Sequence, residues 1–245
     1  MRVPYQREYT KKINIAIVGV GNHCYRNVIP ALHYLPVRLI AVCDTNEELA
    51  QATAAQFGCR YYTKTAEMYD REQLDAVLLC VSARLHPQLA IEAFDAGLHV
   101  WMEKPVAMRA HEVERMIEHR GDLVGVGGFK KAFMPSTDKA VEVVNSPEFG
   151  PLLSLLAVYS MTLPENGKEV LESGQSSSWI SDGCHPLSVM MRVGGPVESV
   201  ISHRDRNGRG ICLLQFASGV TGNFHLASGP QPLESYRFSW HKLES

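Results

Sequence analysis

Between residues 13 and 128 the chain alternates short apolar, β-branched runs with stretches of helical periodicity, and this alternation restricts the fold more than any other feature. Strand signals fall at 13–18, 38–43, 60–62, 75–81, 99–102 and 123–128. Helical patterns follow the first glycine-rich turn and recur at 46–57, 87–96 and 110–120, with Gly58 and Gly97 as stops. The run Ala76-Val77-Leu78-Leu79-Cys80-Val81 is apolar throughout, as expected of a parallel strand buried on both faces. The expected fold is therefore α/β, an N-terminal doubly wound parallel sheet.

The rhythm changes at Phe129. A helix is expected over 136–144, a long strand over 152–161, a Gly/Ser-rich connection over 164–178 and a helix over 179–193. Strands follow at 197–202, 210–216, 220–226 and 236–240. Neighbouring strands after an alternating half predict a second, α+β domain on a mostly antiparallel sheet. The expected division is 1–128 and 129–245, with residues 1–12 as an arm that lacks apolar periodicity.

Charge and cysteine usage exclude several functional classes. A net charge of -2 gives no basic face for nucleic acid or an anionic membrane. Residues 1–12 have no apolar signal-peptide core, and no run is long enough to span a bilayer, so the expectation is a soluble cytoplasmic protein. The six cysteines are dispersed, without C-x-x-C pairs or zinc-ligand spacing, and read as reduced thiols with no metal site.

Three motifs carry chemistry. The first strand runs into Gly19-Val20-Gly21-Asn22-His23-Cys24, a turn that lets backbone approach a pyrophosphate at a helix N-terminus, although the third glycine of the fingerprint is Cys24. The second strand ends at Asp44, placed to accept from ribose hydroxyls, so a dinucleotide is the leading ligand. No Lys-Ser/Thr follows the glycines, which argues against a phosphate-loop hydrolase. The fifth strand delivers Glu103-Lys104-Pro105 to the sheet end where ligands bind in open α/β folds. In the second half, Asp182-Gly183-Cys184-His185 sets a carboxylate three residues before an imidazole, on one helix face.

Together these motifs resemble the Gfo/Idh/MocA family of NAD(P)-dependent oxidoreductases. The resemblance implies a cofactor site formed by Gly19, Gly21, Asn22, His23, Asp44, Ser82, His86 and Glu103, with NAD expected before NADP. It also implies a substrate site of Lys104, Lys130, Lys131, Asp182 and His185, in which His185 is the proton acceptor, Lys104 the oxyanion ligand and Asp182 the residue that orients the histidine. His86 matches the family pattern after the fourth strand, while Val81, Ser82 and Ala83 depart from it; a packing or helix-capping role for His86 stands beside the cofactor role. Ser181 and Ser188 occupy positions where many relatives carry Asp. Family chains generally continue beyond the last strand read here, so the second domain is expected to be incomplete at its C-terminus.

The expected function is hydride transfer between a nicotinamide and a CH–OH group of a sugar, polyol or related hydroxy compound, in a homo-oligomer, dimer or tetramer. The alternative is a non-catalytic dinucleotide sensor or truncated binding protein of the same fold.

Overall fold

A computed structural model describes residues 9–160, 166, 169–170, 178–204, 210–227 and 234–240. Most of the Gly/Ser-rich connection, and most of the N-terminal arm, lie outside the described residues. The chain divides into two units, Met1–Gly128 and Phe129–Ser245.

In the first unit, β1 (Ile13–Val18), β2 (Val37–Cys43), β3 (Arg60–Tyr62), β4 (Ala76–Leu79), β5 (His99–Met102) and β6 (Gly125–Gly127) form one sheet in the order β3-β2-β1-β4-β5-β6. All its pairings are parallel. The connecting helices are α1 (Ile29–Leu32), α2 (Glu47–Phe57), α3 (Thr65–Arg71), α4 (His86–Asp95) and α5 (Ala110–Arg120).

Period-two alternation supplies both faces of this sheet with apolar side chains. Ile17 and Val42 pack with Val20, Cys24, Val28, Ile29 and Ala54. Ala16, Val18, Ala41, Val77 and Leu79 join Met68, Ala90, Phe94 and Met116 in a separate cluster. Leu79 is fully enclosed, and its truncation to Ala has an expected cost of roughly 2–5 kcal/mol.

Local chemistry sets the helix ends. Asn46 caps α2 by accepting from the Leu49 N–H, and Gly58 closes it in the left-handed region at φ 68°. The segment after the glycine turn is less regular than the expected helix. Residues Cys24–Val28 form a π-helical turn in which the Ile29 N–H reaches back to the Cys24 carbonyl. Pro30 has no N–H for the Arg26 carbonyl, and α1 begins beside it. Helix α3 has no clear sequence signal, because it is short, polar and buries only Met68.

The second unit is built on β7 (Leu152–Ser160), β8 (Val197–Arg204), β9 (Gly210–Phe216), β10 (Thr221–Ala227) and β11 (Glu234–Trp240), in the order β11-β7-β10-β9-β8. The β7–β10 pairing is parallel and the other three are antiparallel. A 3-10 turn (Lys130–Phe133), α6 (Pro135–Val144) and α7 (Ser178–Gly194) complete the described elements. Helix α7 covers the face carrying Leu155, Ala157, Leu214, Phe216 and Phe224, with Met190 its most enclosed contribution.

Candidate active site

In the first unit the sequence-predicted groups gather along the C-terminal edge of the parallel sheet, at the switch point where β1 lies between β2 and β4. Gly19 has φ +87°, and a Cβ there would stand 2.6 Å from the Cys80 carbonyl oxygen, so both its backbone and its neighbours require glycine. A Cβ on Gly21 would meet nothing within 4 Å, which leaves open space above the turn. Cys24, in the place of a third glycine, is buried under the turn beside Ile17 and Val42. Its thiol is small enough for that contact.

Asp44 is tied into the same turn. One carboxylate oxygen accepts from the Val20 N–H and the other from the Asn46 N–H, each at 2.9 Å. Each oxygen keeps a further lone pair for a ribose hydroxyl. The neighbouring Cys43 thiol is pushed up to about 11 by burial and by the Asp44 charge, so it stays protonated.

Asn22 and His23 are exposed at the tip of the turn. His23 Nε2 lies 3.1 Å from Glu103 Oε1, linking the turn to the end of β5. The other Glu103 oxygen accepts from the Lys104 N–H at 3.1 Å. Lys104-Pro105 is a cis peptide. Ser82 is exposed and accepts, through its carbonyl, from the Leu85 N–H that leads into α4.

His86 is more enclosed than any of these groups. It is only 1% exposed at the start of α4, with Nδ1 3.0 Å from the Pro105 carbonyl oxygen. Burial pushes its pKa down, against the opposing backbone contacts and the Glu103 charge. It therefore sits as a neutral ring beneath the Lys104-Pro105 turn.

In the second unit Asp182 and His185 lie inside α7, one turn apart, and His185 is only 5% exposed. The helix continues through Pro186, which supplies no N–H for the Asp182 carbonyl. The Ser188 hydroxyl donates to the His185 carbonyl at 2.6 Å, so this serine is engaged by its own helix.

The adjacent lysines diverge, as neighbours on a helical turn must. Lys130 is exposed, whereas the Lys131 side chain is 15% exposed and forms an ion pair with Glu234. Lys131 Nζ also sits 4.7 Å from the centre of the Tyr159 ring, a cation–π contact. The Tyr236 hydroxyl donates to the second Glu234 oxygen at 2.7 Å. Burial alone would push the Glu234 carboxyl up; hydrogen bonds from Lys131 and Tyr236, with the charges of Lys131 and His185, more than reverse this and hold it low.

Nothing in the sequence alone singles out Glu234, Tyr236 or Tyr159 as site residues. The only local trace was the i, i+2 spacing that puts Glu234 and Tyr236 on one strand face.

This edge and turn define a dinucleotide-binding Rossmann unit of the oxidoreductase class. Residues 13–128 match an oxidoreductase family, GFO_IDH_MocA, described as having an NAD-binding Rossmann fold. The first unit is thus an NAD-binding Rossmann domain of the Gfo/Idh/MocA oxidoreductase type. The chain is 26% identical over 233 residues to a D-xylose 1-dehydrogenase (NADP(+)) of Haloferax volcanii, covering 90% of this chain and 71% of that one. It is 27% identical over 147 residues to a myo-inositol 2-dehydrogenase of Thermotoga maritima, covering 56% and 42%. The match to the Thermotoga relative thus spans under half of that protein's length. A solved structure of the WlbA dehydrogenase of Bordetella pertussis, in complex with NADH and UDP-GlcNAcA, shares the fold with a TM-score of 0.80 at 23% identity, covering 94% of this chain and 76% of that one. Among the described residues, no helix is long and apolar enough to cross a membrane.

Proposed function

We propose that this chain is an NAD(P)-dependent dehydrogenase that moves a hydride between the nicotinamide and a CH–OH carbon of a sugar, polyol or related hydroxy compound, with NAD preferred. The observation that carries this reading is the shared C-terminal sheet edge, where the open Gly19–Gly21 turn, Asp44 and Glu103-Lys104 stand together. The space above Gly21 and the remaining acceptor capacity of Asp44 fit a dinucleotide. Bound there, the nicotinamide supplies the hydride-exchanging carbon.

In this proposal the Lys104 ammonium binds the substrate oxygen and stabilises its negative charge as the proton leaves. The His185 imidazole takes that proton, and Asp182 orients the ring from one helical turn away. Asn22, His23, Ser82 and Glu103 border the cofactor, while Lys130 is a substrate contact. His86 acts from below, by holding the Pro105 carbonyl. The sugar and polyol names of the Haloferax and Thermotoga relatives support the substrate class.

We also propose self-association through the sheet face that α7 leaves uncovered. Ile201 and Leu213 are cross-strand partners, 59% and 41% exposed. An exposed apolar row of this kind is a liability unless a partner covers it.

A panel of aldoses, polyols and inositols assayed for nicotinamide reduction with NAD and with NADP tests the main reading. Turnover of a CH–OH donor is the expected result. Dinucleotide binding without turnover of any donor would replace it with a sensor role.

A further inference from the structure

We propose that Glu234 on β11 is a positioning residue for His185, a second carboxylate that holds and charge-balances the imidazole from the sheet while Asp182 acts from the helix. The inference rests on the dehydrogenase reading for its catalytic consequence, but not for its physical content.

Four elements of the second unit build the arrangement. Glu234 pairs directly across the strands with Tyr159, and Tyr236 follows two residues later on the same face. That face carries Ala157, Phe238 and the other residues that pack in the α7-covered core. Helix α7 also packs against the 3-10 turn that bears Lys131. The Glu234 carboxylate is thus fixed at both oxygens, by Lys131 and by Tyr236, before any substrate arrives. A carboxylate held this way needs no reorganisation to meet a positive charge.

The charge of His185 is one of those that stabilise ionised Glu234, and such coupling is reciprocal. An imidazole that takes a proton beside Glu234 is therefore stabilised in its protonated form. Ser181 and Ser188 carry no charge, and Ser188 is committed to the helix backbone.

The other charged and titratable groups on elements packed against α7 are few among the described residues. The 3-10 turn brings Lys130 and Lys131, and β7 brings Tyr159. Helix α6 brings Asp138, which faces Arg192 at 3.6 Å near the far end of α7, together with Lys139 and Glu142, which pair with each other. The one histidine of β10, His225, is exposed and alternates away from Phe224 and the helix.

The test is the titration of the His185 ring in the ligand-free full chain, followed by long-range nitrogen–proton NMR and assigned with His185→Asn. Glu234→Gln should lower the midpoint by about half a pH unit or more, and Glu234→Asp should restore most of it. Lys131→Met, which removes a cation and leaves the carboxylate, should raise the midpoint. If Glu234→Gln does not fold, the Asp and Met variants still decide the matter. Midpoints unchanged in every folded variant would overturn the proposal. The shift can appear even if no sugar or polyol is turned over. That result would remove the dehydrogenase reading and leave the Glu234–His185 coupling standing.

Discussion

The Asp44 carboxylate accepts from the Val20 N–H at 2.9 Å, so the acidic end of β2 also braces the glycine turn that follows β1. The same charge would face the 2′-phosphate of NADP, and Thr45-Asn46 offers no arginine to receive it. Titration with both cofactors should therefore show tighter binding of NAD. Asp44→Ala should weaken NAD binding and reduce discrimination together, because it removes both a ribose acceptor and a brace. Equal or tighter NADP binding by the unmutated chain would contradict the assignment.

The two glycines of the turn should respond differently to alanine. Gly19→Ala forces a side chain into the left-handed region and against the Cys80 carbonyl, with an expected cost on the order of 1–3 kcal/mol from backbone strain alone. Gly21→Ala meets no neighbour, so its melting temperature should stay near that of the parent. Its methyl group projects into the space where the dinucleotide is expected, and cofactor affinity should fall. Thermal melts and cofactor titrations of the pair separate the two effects.

Lys104→Ala and His185→Ala should each reduce turnover by roughly 10²–10⁴-fold, with cofactor affinity little changed. If both serve one transition state, the double variant should lose far less than the product of the single losses. Steady-state kinetics on all three variants decides this, and near-normal turnover in either single variant would exclude its role.

His86 predicts an acid sensitivity of the first unit. Its folded pKa is depressed by burial, so below about pH 6.5 the unfolded chain binds a proton that the folded chain refuses. The neutral ring's contribution is complete above that pH and declines as pH falls toward the depressed folded value. His86→Asn should have a lower melting temperature at pH 7.5 and a flatter decline between pH 7 and 5. The same decline in both proteins would assign the acid sensitivity elsewhere.

Self-association through the open sheet face predicts that sedimentation at micromolar concentration gives a species larger than one chain. Ile201→Glu or Leu213→Glu should shift it to the monomer, since each buries a charge on that face if a partner covers it. A monomer in the parent protein would remove the proposal.

Local pattern determined a large part of this molecule. The both-face apolar strands β1 and β4, the Asn46 cap and Gly58 stop of α2, and the glycine turn ahead of Asp44 are all short-range signals, written within a few residues of where they act. Period and spacing also set Asp182 and His185 on one face of α7. Short range is also where legibility ends. The π-helical turn before Pro30 depends on a missing N–H, and α3 has too small an apolar face to register as periodic.

Tertiary structure alone decided which polar groups meet. His86, for which the sequence leaves a cofactor role and a packing role side by side, is buried with Nδ1 3.0 Å from the Pro105 carbonyl oxygen, 19 residues away in sequence. Lys131 found Glu234 at a separation of 103 residues. Such pairs follow from strand register and helix packing, where a shift of one residue would turn Glu234 to the other face of the sheet. No local composition encodes that distance.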